Sequence, residues 1–251
     1  MALSDTEDIY NIALGLIGEY EVEEGKTSTK QYNLCSRFYD RARKEVLSIH
    51  PWNEAKKRAI ILEDTTAPLF TSQNNYGAST AKRYARPDDA ILLLSINEDV
   101  QHWEDEGGWI ITNHYRSPIS YSEAEVDYIA GQYVTYSDVT YLVDTSFTSD
   151  DWTTDLASYM TTQTYDLMVI HVEYIYDLET ISEFSPLLYN TIAYKLATKI
   201  IVPITNDPKA KVSLLEEYQG MVLPEARTQD ARQGRMRQYF DSSWLRARSQ
   251  P

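Results

Sequence analysis

SIHPWNEAKKRAI, Ser48 to Ile60, is where the chain changes character. Before it, Tyr32, Cys35, Phe38, Tyr39, Ala42, Val46 and Leu47 fall at helical spacing and form one apolar stripe. Pro51 ends that helix, because proline has no N–H for the ladder and pushes its preceding residue out of helical conformation. Trp52 follows at once, with a ring large enough to fix a junction between a helical and a β layer. Ala55 to Leu62 then reads as extended chain. Its side chains alternate faces, so Lys56 and Arg58 share one face and Lys57 takes the other.

Working outward, Ser4 or Asp5 caps a first helix carrying Ile9, Ile12, Ala13, Leu16 and Ile17, which Gly18 and the acidic run EYEVEEG end. The second helix starts near Thr27 to Thr29. Thr65 to Ala81 is rich in Thr, Ser, Asn and Gly and reads as a surface loop. Ile91 to Ile96 reads as a buried strand after a Pro-Asp-Asp turn. GGWIITNHY and Leu167 to Tyr176 give two more strands. Helix returns at Ser185, an N-cap, with Pro186 in the first helical position and Leu188, Ile192, Leu196 and Ile200 as its stripe. A last helix begins near Pro208 and is bent or interrupted at Gly220 and Pro224.

The pattern predicts an α+β fold. A bundle of about four helices takes residues 1–50 and 185–225, and a small antiparallel β domain takes 51–120 and 165–184. Residues 121–164 form an inserted β module. There Tyr128, Tyr133, Val134, Tyr136, Val139, Tyr141 and Val143 alternate with small polar residues, as in a two- or three-stranded hairpin, before the polar run TSFTSDDW. Residues 226–251 form a basic, aromatic tail with six Arg against Asp230 and Asp241. Arg232, Arg235, Arg237, Tyr239, Phe240, Trp244, Arg246 and Arg248 are its candidate docking residues, since a solvated terminus gains nothing from exposing Phe and Trp.

The chain has 251 residues, enough to bury a real core. Its net charge of −15 argues against the whole protein being a general nucleic-acid binder, which rests on Lys and Arg neutralising phosphates. The single cysteine, Cys35, excludes an intramolecular disulfide and a cysteine-based zinc site within one chain. The start MALSDTEDIYN lacks the basic and apolar regions of a signal peptide, and no apolar run approaches the ~18 residues of a membrane span. The expectation is a protein made and kept inside a cell, or carried in a larger particle. Twenty tyrosines, many in polar surroundings, suit interfaces.

No phosphate-binding loop, dinucleotide fingerprint or nucleophile elbow occurs. His50, His102, His114 and His171 are scattered without metal-ligand spacing, and Asp88/Asp89 and Asp150/Asp151 read as a turn and a loop or helix cap. The expectation is no catalytic, cofactor or metal site.

Several segments then line up in order. IYNIALGLIGE (Ile9–Glu19) is followed by YDRARKEVLSIHPWNEAKKRAII (Tyr39–Ile61), which has the form L-x-x-x-P-W-x-x-A-x-x-R-A through Leu47, Pro51, Trp52, Ala55, Arg58 and Ala59. RYARPDDAILLLSI (Arg83–Ile96), WIITN (Trp109–Asn113) and VEYIYDLETISEFSPLLYNTIAYKLATKIIVPIT (Val172–Thr205) follow. Together they resemble the tail tubular protein A family, the head-to-tail adaptors of short-tailed bacteriophages, over roughly residues 1–115 and 166–228. The Pro-Trp block is the most specific piece. Departures are Asn53, where the family often has an aromatic residue, and the stretch 121–164.

The resemblance implies a structural virion protein at the head–tail junction, made in the host cytoplasm. It implies a dodecameric ring below the portal protein and above the tail nozzle protein, with contact to a tail fibre conceivable, and no membrane role. It also implies a C-terminal segment reaching the portal and genomic DNA passing through the lumen. On that reading Pro51, Trp52, Lys56, Lys57 and Arg58 are hinge or subunit-interface residues, the three cations offsetting repulsion between acidic neighbours. Two other functions compete. Tyr133, Tyr136, Tyr141 and Trp152 offer rings for binding or processing host glycan, or for protein contact, and the Arg-rich tail offers a nucleic-acid-binding regulator.

Overall fold

The computed structural model describes residues 6–22, 27–65, 81–98, 103–137, 139–165 and 167–233. In chain order the elements are α1 (Thr6–Leu16), α2 (Lys30–Ser48), β1 (Lys56–Leu62), β2 (Lys82–Ala85), β3 (Ala90–Ile96), β4 (Trp103–Glu106) and β5 (Trp109–Thr112). There follow β6 (Ile119–Ser120), β7 (Asp127–Tyr128), β8 (Tyr133–Tyr136), β9 (Val139–Val143), β10 (Phe147–Thr148), α3 (Trp152–Tyr159) and β11 (Met160–Tyr165). The chain closes with β12 (Val169–Tyr176), α4 (Pro186–Thr205), α5 (Pro208–Glu217) and α6 (Leu223–Gln233). The fold is α+β, as expected. The chain divides into two compact units: one, residues 1–46, 52–54 and 180–251, contains α1, α4, α5, α6 and most of α2, and the other, residues 47–51 and 55–179, contains the sheets and α3.

In the helical unit, α1 turns a different face inward from the expected stripe. Ile9 and Ala13 are buried, but so are Tyr10 and Leu14, while Ile12, Leu16 and Ile17 are half-buried. Tyr10 draws the face round, because its ring meets Tyr32 and Tyr39 of α2 edge-on at 5.7 and 5.8 Å. Gly18 ends α1 at φ +75°, where the Glu19 N–H reaches back to the Leu14 carbonyl at 3.0 Å. Ser4 and Asp5 lie outside the described residues. Thr29 caps α2, its hydroxyl accepting the Tyr32 N–H at 3.2 Å.

The Ser185 side chain accepts the Leu188 N–H at the start of α4, and Leu188, Ile192, Leu196 and Ile200 are fully buried, as the spacing predicts. Asp207 caps α5 by accepting the Lys209 and Ala210 N–H groups. The expected interruption at Gly220 and Pro224 takes the form of one π turn, Tyr218–Val222, where the Leu223 N–H bonds the Tyr218 carbonyl. Pro224 lacks an N–H and its ring collides with a carbonyl one regular turn back; a widened turn relieves both faults without ending the helix. α6 therefore runs to Gln233, and the expected tail boundary at 226 falls inside it. Ala226 and Asp230 are buried there.

In the sheet unit, β12 lies between β1 and β3, both antiparallel to it, and β5 lies between β2 and β4. Tyr84, Leu93, Ile96, Ile110, Ile170, Val172 and Tyr174 form one core cluster. β3 is less buried than its apolar run suggests, with Ile91, Leu92 and Leu94 half-buried, because it is an edge strand. The Thr65 to Ala81 loop lies almost wholly outside the described residues.

The insertion is larger than a hairpin. β11, β9, β8 and β6 make a four-stranded sheet with β6 parallel to β8, and β7 and β10 pair separately. Its sheet starts at Ile119 and ends at Tyr165, just outside the expected limits 121–164. At the end of TSFTSDDW the helix-cap alternative holds: Asp151 caps α3 by accepting the Thr154 N–H at 3.3 Å, and Trp152 is its first residue.

Candidate functional site

The Pro51–Arg58 block spends its side chains on structure. Pro51 is exposed. Trp52 is buried at 1% exposure, and its Nε1–H donates to the Val46 carbonyl at 2.9 Å, near the end of α2. The Asn53 backbone N–H donates to Asp230 Oδ1 at 3.0 Å, and the Asn53 side-chain amide donates to the Asp230 carbonyl at 2.7 Å. Glu54 Oε2 accepts the Ser185 N–H at 2.8 Å, placing a carboxylate at the positive end of α4. Three consecutive residues thus tie the chain to α2, α6 and α4. Asn53, through its backbone and its side chain, makes the bond to α6.

The three cations that follow lie on β1 and are exposed. They alternate as predicted. Arg58 faces its cross-strand partner Glu173 at 3.2 Å. On the opposite face Lys57 meets Asp89 at 2.6 Å and the Tyr176 ring at 5.1 Å, and the Tyr174 hydroxyl donates to the same carboxylate at 3.0 Å. Partial burial pushes the Asp89 carboxyl up, but the bonds from Lys57 and Tyr174 outweigh it and hold the group below the usual carboxylate range. Lys57 and Arg58 are therefore engaged within their own sheet, which shrinks the free charge available for a neighbour.

Of the four aromatic residues singled out in the insertion, three come together. Trp152 stacks on Tyr136 at 4.0 Å and meets Tyr141 edge-on at 4.9 Å. Tyr133 alternates with Val134 and points to the other face of β8. Tyr121 and Tyr128 join the group, with Tyr121 4.8 Å from Trp152 and 5.7 Å from Tyr128. The Tyr121 hydroxyl donates to Asp155 Oδ2 at 2.5 Å, and the Asp150 N–H donates to the same oxygen at 3.0 Å. Asp155 is 2% exposed, so these bonds satisfy a buried carboxylate. Tyr141 is buried in the module's core with Tyr121 and Tyr128, Trp152 packs against that core, and Tyr136 is exposed with one face stacked on Trp152.

Arg232 is exposed in the last turn of α6. Arg235, Arg237, Tyr239, Phe240, Trp244, Arg246 and Arg248 lie outside the described residues. His171 is exposed on β12, opposite Ile60. Among the described residues no three His, Cys, Asp or Glu are grouped to hold a metal ion, and no helix is long and apolar enough to cross a membrane.

Charge is divided unevenly between the units. The helical unit has 16 Lys and Arg against 17 Asp and Glu, whereas the sheet unit has 7 against 21. Residues 117–194 contain neither Lys nor Arg. Within the insertion Glu123, Glu125, Asp127, Asp144, Asp150 and Asp151 are all exposed. The opposite sign concentrates on α2 and α4. Glu45 receives Lys199 at 2.7 Å, Lys195 at 3.3 Å and Arg41 at 3.2 Å, one carboxylate among three cations. The segregation depends on how the chain is partitioned into units, so it is hard to read from the whole-chain total.

No protein-family model matches the chain, and no curated protein matches its sequence.

Proposed function

We propose that this protein is a head-to-tail adaptor of a short-tailed bacteriophage: a non-catalytic ring subunit, dodecameric as in the family it resembles, that joins the portal to the tail nozzle and lines part of the DNA channel. The observation that carries the reading is the Pro-Trp block. Of its motif residues Trp52 and Ala55 are buried and Trp52 bonds the end of α2, while the intervening Asn53 and Glu54, which the motif does not specify, add the bonds to α6 and α4. That use suits a part whose task is to hold shape under load. The acidic sheet unit supports the channel role, since a wall poor in cations lets DNA slide instead of binding it. The glycan alternative has less support, because Tyr141 is buried in the module's core and the facing sides of Tyr136 and Trp152 are taken up by each other.

The test is capture by purified portal protein, read by size exclusion with light scattering. The full chain is compared with a version stopped after Gln233, which keeps Ala226 and Asp230 in the bundle. Full-length binding that is lost on truncation makes the Arg-aromatic tail the anchor. Binding by both forms moves docking to the folded units. Binding by neither refutes the adaptor reading.

A further inference from the structure

The helical unit carries a cationic face in a protein that is otherwise acidic. Arg37, Arg41 and Lys44 are exposed along α2 at spacings of four and three residues, one helical face. Lys195 and Lys199 of α4 extend it through Glu45. Among the described residues, the acids on this face are Asp40 and Glu45 on α2, with Glu217 held by the Tyr194 hydroxyl at 3.1 Å beside it. Cations remain in excess. Lys195 also lies over the Tyr218 ring at 5.4 Å, so part of the face is held in place by the bundle.

We infer that this α2–α4 face docks the acidic insertion of a second copy of the same chain. The inference rests on the ring reading and names the surfaces that would make the ring. Charge complementarity selects the occupant: the insertion offers exposed acids in a stretch without a single Lys or Arg, and the matching cations are on the other unit of the same molecule. Two different surfaces meeting between identical copies make a head-to-tail contact. Such contacts propagate, and they close into a ring when the rotation allows. Ile119, Val126 and Ile129, exposed on the insertion at 55%, 38% and 60%, add apolar area to the acidic side.

The experiment is a charge swap on the full chain, followed by sedimentation velocity over a range of concentration at low and high salt. One variant carries Arg37→Glu with Arg41→Glu. The other carries Glu123→Lys with Asp150→Lys, residues exposed on the insertion. Circular dichroism first establishes that both variants keep the wild-type fold. Wild type is expected to associate at low salt and to come apart as salt screens the contact. Each variant alone is expected to associate at least about tenfold more weakly. An equal mixture of the two is expected to recover association, because alternating copies then match a reversed face to a reversed insertion and a native face to a native one. Variants that associate like wild type, or a mixture that stays apart, overturn the inference. Wild type that stays monomeric overturns it too. Portal capture separates the two levels: variants captured as complete rings sink this contact and leave the adaptor reading standing, whereas wild type that ignores the portal sinks the adaptor reading itself.

Discussion

Trp52 gives the sharpest test of how the helical unit is held. Its side chain is almost wholly removed from water, and its one polar atom is used by the Val46 carbonyl. Burying a Trp removes roughly 200 Å² of mainly apolar surface, worth at most about 5 kcal/mol at ~25 cal/mol per Å². Measured truncations of buried Trp and Phe fall at about 3–5 kcal/mol. Trp52→Ala is therefore expected to cost about 3–5 kcal/mol. Trp52→Phe keeps most of the apolar contact but removes the N–H donor, and is expected to cost about 1–2 kcal/mol. The assay is urea unfolding followed by far-UV circular dichroism, which reports the helices after the tryptophan is gone. With a slope near 2 kcal/mol per M, the alanine variant is expected to lower the midpoint by roughly 1.5–2.5 M. A loss under about 1 kcal/mol for Trp52→Ala would refute the claim that this ring anchors the end of α2 in the helical unit.

The π turn predicts a compensating pair. Deleting Gly220 forces a regular turn against Pro224 and is expected to cost about 3 kcal/mol, while the same deletion with Pro224→Ala restores most of it; equal costs for both would sink the account. In the insertion, Tyr121→Phe leaves the buried Asp155 with the Asp150 N–H alone and is expected to cost about 1–3 kcal/mol, seen as faster amide exchange in β6 and β8. Unchanged exchange there would count against that role. At Glu45, partial burial raises the carboxyl, but the bonds from Lys199 and Lys195 outweigh it and the folded pKa lies below the unfolded one. Stability from this cluster is then full above the unfolded value and lost as pH falls through the folded one. Lys195→Met with Lys199→Met is expected to flatten the acid limb of the stability profile, and an unaltered limb refutes the linkage.

Much of the helical unit was legible because its signals are local. Pro51 stops α2, Ser185 and Pro186 start α4, and the Leu188-to-Ile200 stripe needs only a period of 3.6. α3 was legible only at its cap, Asp151, because its stripe of Trp152, Leu156 and Tyr159 spans barely two turns and one of its inward residues is Asp155, a charge that reads as solvent-facing until Tyr121 is found beside it. β4 was missed because Trp-Glu-Asp-Glu looks like a turn; pairing with β5 makes it a strand. The partners at the Pro-Trp block are farther still from view. Asn53 and Asp230 are 177 residues apart in sequence, and Lys57 finds Asp89 across a sheet whose register is not local. Alternation could place Lys57 opposite Lys56 and Arg58, but it could not say what each would meet.

The absence of cations from residues 117–194 also changes how the molecule can be handled. Trypsin has no site between Arg116 and Lys195, so the whole insertion, with β12 and the start of α4, leaves any digest as one large peptide. Amine-directed cross-linkers are equally blind to it. Neighbours of that surface will be found only with carboxylate-directed coupling or with a protease that cuts after acids.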